Sequence, residues 1–403
     1  MKVLHINTFL KSGGAEMIAY TLFENDNNSS IAVSQNQTNT ERIFSLDGGF
    51  YASIFAFLTR IKWRFKPKQS FKRLFFLGDE FNDTYKKLKR TKQYQQADII
   101  HLHNIHGGFF DLNALMKIGK EKKIVWTLHD MWAMTGGEAY TFENENYKIG
   151  IGKTPYLNVP PLNQPIIDRR QHFLELKKKI YAAISANITF VPVSKWLEDC
   201  FRSSYVFNNQ LKVQTIYNGY DDSVFYTKNR KVSETYKILI FNSPSPFKGS
   251  ENFKTIIDSI QVPFELFIVG EKPDVQNEKI IKTKVFSHVF DRAQLAELYN
   301  NIDILIFPSK AEAFGLIPLE AMACGVCVFA SNINGIPEII EHEKTGFLFD
   351  TINELCDQLN KTFQNKELVR KIGENAAKDV KNKFPISNML RAYQDLYKNI
   401  AGK

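Results

Sequence analysis

The sequence predicts an α/β protein of two doubly wound domains facing across a cleft, and three observations carry that expectation. The chain has 403 residues, more than one hydrophobic core usually supports, so two domains are the default. Short apolar runs alternate with helix-compatible stretches through the first half, and the alternation starts again near residue 236. Those runs are nearly unbroken, as expected for parallel strands buried on both faces.

The composition is that of an ordinary globular protein, with 44% hydrophobic residues. No apolar run approaches the length of a membrane span, and the start MKVLHINTF has no basic preface of the signal-peptide kind. A cytoplasmic protein is expected. Four cysteines, Cys200, Cys324, Cys327 and Cys356, are too few and too scattered for a disulfide framework. Cys324 and Cys327 have redox or zinc spacing, but no second Cys/His pair completes a tetrahedral site, so packing is the expectation. A net charge of +9 favours anionic partners such as phosphorylated substrates, anionic lipid or nucleic acid.

The first strand is expected at 2–9, followed by Gly13 and Gly14 in a KSGGAE turn and a helix at 17–23. A glycine pair between strand and helix admits close backbone approach, and the helix N-terminus favours anions. Residues 50–93 interleave aromatics with Arg60, Lys62, Arg64, Lys66, Lys68, Lys72 and Arg73, and a second basic run covers 86–92. That mixture suits peripheral attachment to an anionic membrane surface, and equally a surface helix whose aromatics face the core. Nothing else in the chain resembles a nucleic-acid module, so no nucleic-acid partner is expected.

Further strands are expected at 97–104 and 123–130, each ending in histidine and polar residues. His101 and His103 share a strand face with His106 nearby, but no carboxylate or cysteine beside them argues for a metal. His129 closes its strand and opens a loop with an aromatic and two glycines. Residues 138–165 read as a long excursion of the kind that selects acceptors. A basic helix at 166–186 and strands at 188–194 and 213–220 complete the first half.

In the second half, strands are expected at 236–242, 264–270 and 283–289, with a helix at 292–300. Residues 243–250 form a loop containing Lys248 and Gly249 before a helix, a fitting place for a cation on a diphosphate. The stretch 303–349 is the most informative. A buried strand at 303–308 leads to a polar loop with Glu312, then Phe314-Gly315, a helix at 316–324 with Glu320 in it, a stop at Gly325, and a strand at 326–330. Ligands of such sheets bind where loops leave the carboxyl ends of strands. The N–H groups at Gly315 and Leu316 are placed to meet an anion or sugar oxygen.

Glu312-AFGLIPL-Glu320, the following EAMACGVCVFAS, and then GIPEII and TGFLF resemble the signature of the retaining glycosyltransferases of family 4, which have the two-domain GT-B fold with Rossmann-like halves. The resemblance implies that Glu312 approaches the donor sugar, that Phe314, Gly315 and Leu316 offer backbone to sugar or phosphate oxygens, and that Glu320 holds the ribose hydroxyls. It gives Lys248 a place on the diphosphate, His129 a place beside the donor sugar, and Gly13 and Gly14 a place bordering the cleft. It also implies domains at 1–215 (acceptor side) and 216–385 (donor side), hinged near Asn218-Gly219, with a terminal helix at 386–403 crossing back to the first domain. The activity implied is transfer of a sugar from a nucleotide-sugar donor to a glycan or glycolipid acceptor, in cell-surface polysaccharide synthesis, without metal or cofactor.

Two positions depart from the family pattern. Ser243 stands where an arginine usually assists the lysine, and His288 stands where glycine often lines the nucleobase. The first leaves the diphosphate short of one cation, and the second leaves the base open. A nucleotide-sugar epimerase on the same scaffold, and a catalytically silent sugar-binding subunit at the membrane, remain as alternatives.

Overall fold

The computed structural model describes residues 1–34, 40–46, 83–151, 168–228, 235–287 and 291–402. Backbone contacts divide the chain into two compact units, residues 1–216 with 390–403, and residues 217–389.

The first unit is built on β1 (Val3–Asn7), α1 (Gly14–Glu24), β2 (Ser30–Val33), β3 (Ile43–Ser45), α2 (Thr84–Lys89), α3 (Lys92–Gln96), β4 (Ile99–Leu102), α4 (Leu112–Glu121), β5 (Lys123–Leu128), α5 (Arg170–Ala183), β6 (Ile188–Pro192), α6 (Lys195–Arg202) and β7 (Lys212–Val213). Its seven strands are all parallel, in the order β3-β2-β1-β4-β5-β6-β7. Every residue of β1, β4 and β6 is buried, which explains why these strands read as continuous apolar runs. Trp126 of β5 stacks on Phe190 of β6 at 5.7 Å between ring centres and meets Tyr181 of α5 edge-on at 5.9 Å.

The second unit contains β8 (Tyr236–Asn242), α7 (Phe253–Asp258), β9 (Phe264–Gly270), β10 (Ile280–Phe286), α8 (Arg292–Asn300), β11 (Ile304–Phe307), α9 (Leu316–Ala323), β12 (Cys327–Ser331), β13 (Phe347–Phe349), α10 (Ile352–Thr362) and α11 (Lys366–Lys383). A last helix, α12 (Ile386–Ala401), closes the chain. The six strands are parallel in the order β10-β9-β8-β11-β12-β13. Ile238, Ile240, Leu266, Ile268, Ile304, Ile306 and Phe329 form one apolar cluster with residues of α7, α10 and α11. Burying a side chain of this size contributes about 1.5–3 kcal/mol, and truncating one to Ala costs about 2–5 kcal/mol.

Helix starts follow from side chains that accept the first free N–H groups. Asp111 accepts from Asn113 at 2.9 Å, Ser194 from Leu197 at 3.2 Å, and Asp291 from Ala293 at 2.8 Å. Each such cap is worth about 1 kcal/mol. Strand order reverses direction between β1 and β4 in one sheet and between β8 and β11 in the other. These two points are topological switch points, and sheets of this kind bind ligands beside them, at the carboxyl ends of the strands.

Several boundaries differ from expectation. The strand expected at 213–220 is the two-residue β7, because its partner β6 ends in Pro192, which has no N–H to return. The backbone still donates from Gln214 to the Phe190 carbonyl at 3.0 Å and from Ile216 to that of Pro192 at 3.1 Å. Strand β10 lies three residues earlier than the expected 283–289 and sits at the sheet edge, where its exposed Ile281 and Val285 blur the pattern. The short strands β2, β3 and β13 were not anticipated. The expected helix at 166–186 is α5, ending at Ala183.

Candidate functional site

The switch point between β8 and β11 gathers most of the expected residues of the second unit. Strand β11 ends at Phe307, and the loop after it is tied to the β8–α7 loop by hydrogen bonds from Lys310 N–H to the Phe247 carbonyl (2.6 Å) and from Ser309 Oγ to the same carbonyl (2.9 Å). Gly249 makes that approach possible. Its φ is +66°, and a Cβ there would lie 1.9 Å from the Pro308 carbonyl oxygen, so neither the conformation nor the space admits a side chain.

The consequence is that Lys248, next to Gly249, forms an ion pair with Glu312. Ser309 Oγ lies 3.0 Å from the same carboxylate oxygen, Glu312 Oε1. The backbone of Glu312 is held as well, donating to Asn334 Oδ1 at 3.2 Å and accepting from Gly335 N–H at 3.2 Å. Cation, hydroxyl and carboxylate thus meet at the end of a buried strand. Ser243 sits at the base of the same loop, where its N–H donates to Ser250 Oγ at 3.0 Å.

Three residues after Glu312, Gly315 caps α9 with φ +102°, a left-handed conformation that glycine adopts without strain. Leu316 opens the helix. Phe314 is buried and packs against Tyr217 and Phe384, at 5.9 and 5.6 Å between ring centres, so its side chain anchors the turn while its backbone lies in it. Glu320, one turn further on, is 7% exposed. Arg292, the first residue of α8, places Nη2 3.3 Å from Glu320 Oε1 and lays its guanidinium 4.8 Å over the Phe225 ring. Burial pushes the Glu320 carboxyl up to about 7, with Arg292 opposing and Asp221 adding to the rise. An arginine held by both a ring face and a carboxylate is a fixed cation.

The first unit gathers a second group where β1, β4 and β5 end. Asn104 N–H donates to Asn7 Oδ1 at 3.1 Å, and Thr8 Oγ donates toward the Asn104 carbonyl at 2.8 Å. His129 follows β5, and its Nε2 is 3.2 Å from Nδ1 of His103. His103 Nε2 is in turn 3.1 Å from Nδ1 of His5. His101 is separately held, with Tyr397 at 2.6 Å on one ring nitrogen and Thr127 at 2.7 Å on the other. His106 and Asp130 approach to 3.3 Å. Burial pushes His5 down to about 3 and His129 down to about 4, and holds His101 and His103 well below the usual imidazole range. Burial disfavours the imidazolium at each of the four.

Gly13 caps α1, and Gly14 is the first residue of that helix. A Cβ at Gly13 would fall 2.7 Å from Glu16 Oε2, so the carboxylate folds back over the turn. Burial raises the Glu16 carboxyl, partly offset by its backbone hydrogen bond and by His106.

Arg292, Asn334 and His5 were not anticipated as parts of these groups. Arg292 carries no local mark beyond its place at a helix start, and it meets Glu320 only because α8 packs beside α9. His5 sits in β1, and its register opposite His101 is a property of the sheet. Its only sequence signal is a histidine within an otherwise apolar strand. His288 and residues 50–82 lie outside the described residues. Of the basic run at 86–92, Lys89 pairs with Glu121 at 2.6 Å, while Thr84 and Leu88 are the buried side of α2. Cys324 and Cys327 are both fully buried, and burial pushes the Cys327 thiol up. Among the described residues, no helix is long and apolar enough to cross a membrane.

Residues 225–379 match the family profile described as glycosyl transferases group 1, and residues 59–224 match that of glycosyltransferase family 4. The chain is 29% identical over 336 residues to N-acetyl-alpha-D-glucosaminyl L-malate synthase of Bacillus anthracis, covering 78% of each chain. It is 27% identical over 285 residues to WcaC of Escherichia coli K12, provisionally named a colanic acid biosynthesis glycosyl transferase, covering 66% of each. Among solved structures, the Anabaena HepE protein in complex with UDP and glucose superimposes with a TM-score of 0.64 at 17% identity, over 99% of this chain and all of that one. With two consecutive family profiles, two parallel sheets and fold likeness along its whole length, the chain belongs to the family 4 glycosyltransferases and has the GT-B fold.

Proposed function

We propose that this glycosyltransferase moves a sugar from a nucleotide-sugar donor to a glycan or glycolipid acceptor with retention of anomeric configuration, in the synthesis of a cell-surface polysaccharide. The observation that carries the reading is the meeting of Lys248, Ser309 and Glu312 at the β8/β11 switch point, beside the start of α9. Glu320 on that helix is paired with Arg292.

A departing nucleoside diphosphate develops negative charge on its terminal oxygens, and what stabilises it most in the transition state accelerates the step. The Lys248 ammonium and the backbone N–H groups at the start of α9 supply that stabilisation in a fixed geometry. Glu312 is oriented by Ser309, Asn334 and Lys248, and serves the sugar being transferred. Glu320 accepts from the ribose hydroxyls, a charge-assisted contact worth about 1.5–3 kcal/mol. In the first unit, His129 serves the sugar, and Gly13 and Gly14 admit the ligand close to the backbone. No cofactor or metal takes part in this scheme.

The HepE complex makes UDP-sugars the first donors to try, and the WcaC likeness favours a polysaccharide acceptor. The test is incubation with a panel of nucleotide sugars, with and without lipid-linked glycan acceptors. Nucleotide release that requires acceptor, with the product's anomeric signal matching the donor's by NMR, supports the proposal. Donor isomerisation without release indicates an epimerase, binding without turnover indicates a silent subunit, and either overturns it.

A further inference from the structure

Behind His129 lies a row of rings that the transfer scheme does not use. His129 Nε2 contacts His103 Nδ1 at 3.2 Å, and His103 Nε2 contacts His5 Nδ1 at 3.1 Å. The rings follow one another edge to edge in near-parallel planes, with centres 5.5 Å apart from His129 to His103 and 5.4 Å from His103 to His5. His5 and His103 are each 1% exposed.

We propose that His103 and His5 are positioning residues that fix which ring nitrogen of His129 carries its proton. The proposal rests on the reading of His129 as a residue that serves the sugar.

The argument is one of counting protons. A neutral imidazole has one N–H and one lone pair, and each nitrogen-to-nitrogen contact needs one proton between its two atoms. If His5 Nδ1 is the acceptor, His103 must be protonated on Nε2, its Nδ1 must accept from His129 Nε2, and His129 Nδ1 is left with a lone pair. If His5 Nδ1 carries the proton, every ring is reversed and His129 Nδ1 becomes a donor. No other neutral arrangement satisfies both contacts, so the tautomers of His5 and His129 at the two ends are locked together.

The three rings come from three adjacent strands or strand ends, β1, β4 and β5, in a sheet whose register is set by main-chain hydrogen bonds. His103 N–H donates to the Ile6 carbonyl at 2.9 Å, and Trp126 Nε1–H donates to the His103 carbonyl at 3.0 Å, so the middle ring is held at its backbone. His101 packs against His103 with ring centres 4.1 Å apart but spends both its nitrogens on Thr127 and Tyr397. It walls the row without joining it. The charged groups facing His129 are Asp130, its neighbour in the chain, which favours the imidazolium, and His106 of the loop after β4, which disfavours it. Glu16 of α1 approaches both of these. Burial outweighs them, and His129 stays neutral down to about pH 4.

The test uses the full chain labelled with ¹⁵N-histidine, with His129 assigned from the spectrum of His129→Gln. The parent is expected to show His129 as a single neutral tautomer from pH 5 to 8. In His103→Phe, which breaks both contacts, and in His5→Leu, which breaks only the far one, the His129 signals are expected to move toward a tautomer average. Thr127→Val, which removes one of the two partners of His101 but leaves the row intact, is the control and should leave the His129 tautomer unchanged.

With an active donor and acceptor pair, His103→Phe should lower kcat about tenfold or more with little change in donor KM, as when a group holding an imidazole's tautomer is lost. A parent that samples both tautomers overturns the proposal, as does an unchanged His129 tautomer in a folded His103→Phe or His5→Leu. The NMR readings need no substrate. A failure to find transfer therefore counts against the proposed function alone.

Discussion

Lys248 and Glu312 form an ion pair although 63 residues separate them in the chain, and the contact depends on a glycine whose missing side chain lets one loop lie against the other. The pair brings a cation and a carboxylate to one point. A donor diphosphate must compete with Glu312 for the ammonium, so binding and orientation of the carboxylate are linked. Glu312→Ala is expected to lower turnover mainly, because it removes the group assigned to the sugar. Nucleotide affinity should fall little or improve, because Lys248 is released. Equal loss of both, measured by steady-state kinetics and calorimetry, would count against the assignment.

Removing the cation should be costly. Lys248→Ala is expected to reduce turnover about a hundredfold or more, by analogy with the loss of one preorganised donor to a developing anion. Ser243→Arg is the complementary variant. A second cation at the base of the same loop should tighten nucleoside diphosphate binding, read by thermal shift or calorimetry. Near-parental turnover in Lys248→Ala would mean that another cation holds the diphosphate.

The raised Glu320 carboxyl makes stability depend on pH. Its folded value is about 7 against an ordinary 4.5, so the folded state holds the proton more tightly than the unfolded chain. The contribution is fully present below about pH 4.5 and is lost as pH rises through about 7, amounting to about 3 kcal/mol by linkage. Glu320→Gln should flatten the dependence of the denaturation midpoint on pH in that window. It should also weaken nucleotide binding about tenfold, since a neutral amide replaces a charge-assisted acceptor. An unchanged pH dependence would show that the carboxylate is ionised and solvated in the folded protein.

Gly249→Ala probes the link between fold and site. A Cβ at that position would meet the Pro308 carbonyl at 1.9 Å in a left-handed backbone, so the two loops must separate. A loss of about 1–3 kcal/mol in stability is expected from the strain, with activity falling more steeply than stability because Lys248 moves with the loop. Parental activity in this variant would mean that the loop contact does not position the lysine.

The basic and aromatic residues at 50–93 give an expectation of their own. Each Lys or Arg near an anionic bilayer contributes about 1 kcal/mol, screened by salt. Flotation with phosphatidylserine-containing vesicles at low salt should therefore carry the protein upward, and neutral vesicles should not. No dependence on lipid charge would remove the idea of peripheral attachment and favour an acceptor free in solution.

By itself the sequence determined the class of fold and which residues come together along the segment from β11 into α9. Strands buried on both faces must be apolar throughout, so β4, β5, β6, β8, β9, β11 and β12 were legible as runs. Glu312, Gly315 and Glu320 belong to one continuous strand-turn-helix segment and could be read together, with the family resemblance naming their roles. Lys248 was legible because a cation beside a glycine at a helix start has a local logic. Short strands such as β2, β3 and β13 were not legible, because three or four residues are too few to establish a period.

Only the tertiary structure decided what meets across the strands. Arg292 reaches Glu320 because two helices pack side by side, Lys248 reaches Glu312 because Gly249 lets two loops touch, and His5 joins His103 and His129 because parallel pairing places β1, β4 and β5 in adjacent register. The reason is physical. Helical and strand periodicities fix a residue's neighbours along its own element, whereas contacts between elements depend on packing and register, which are set by the whole sheet and the helices laid on it.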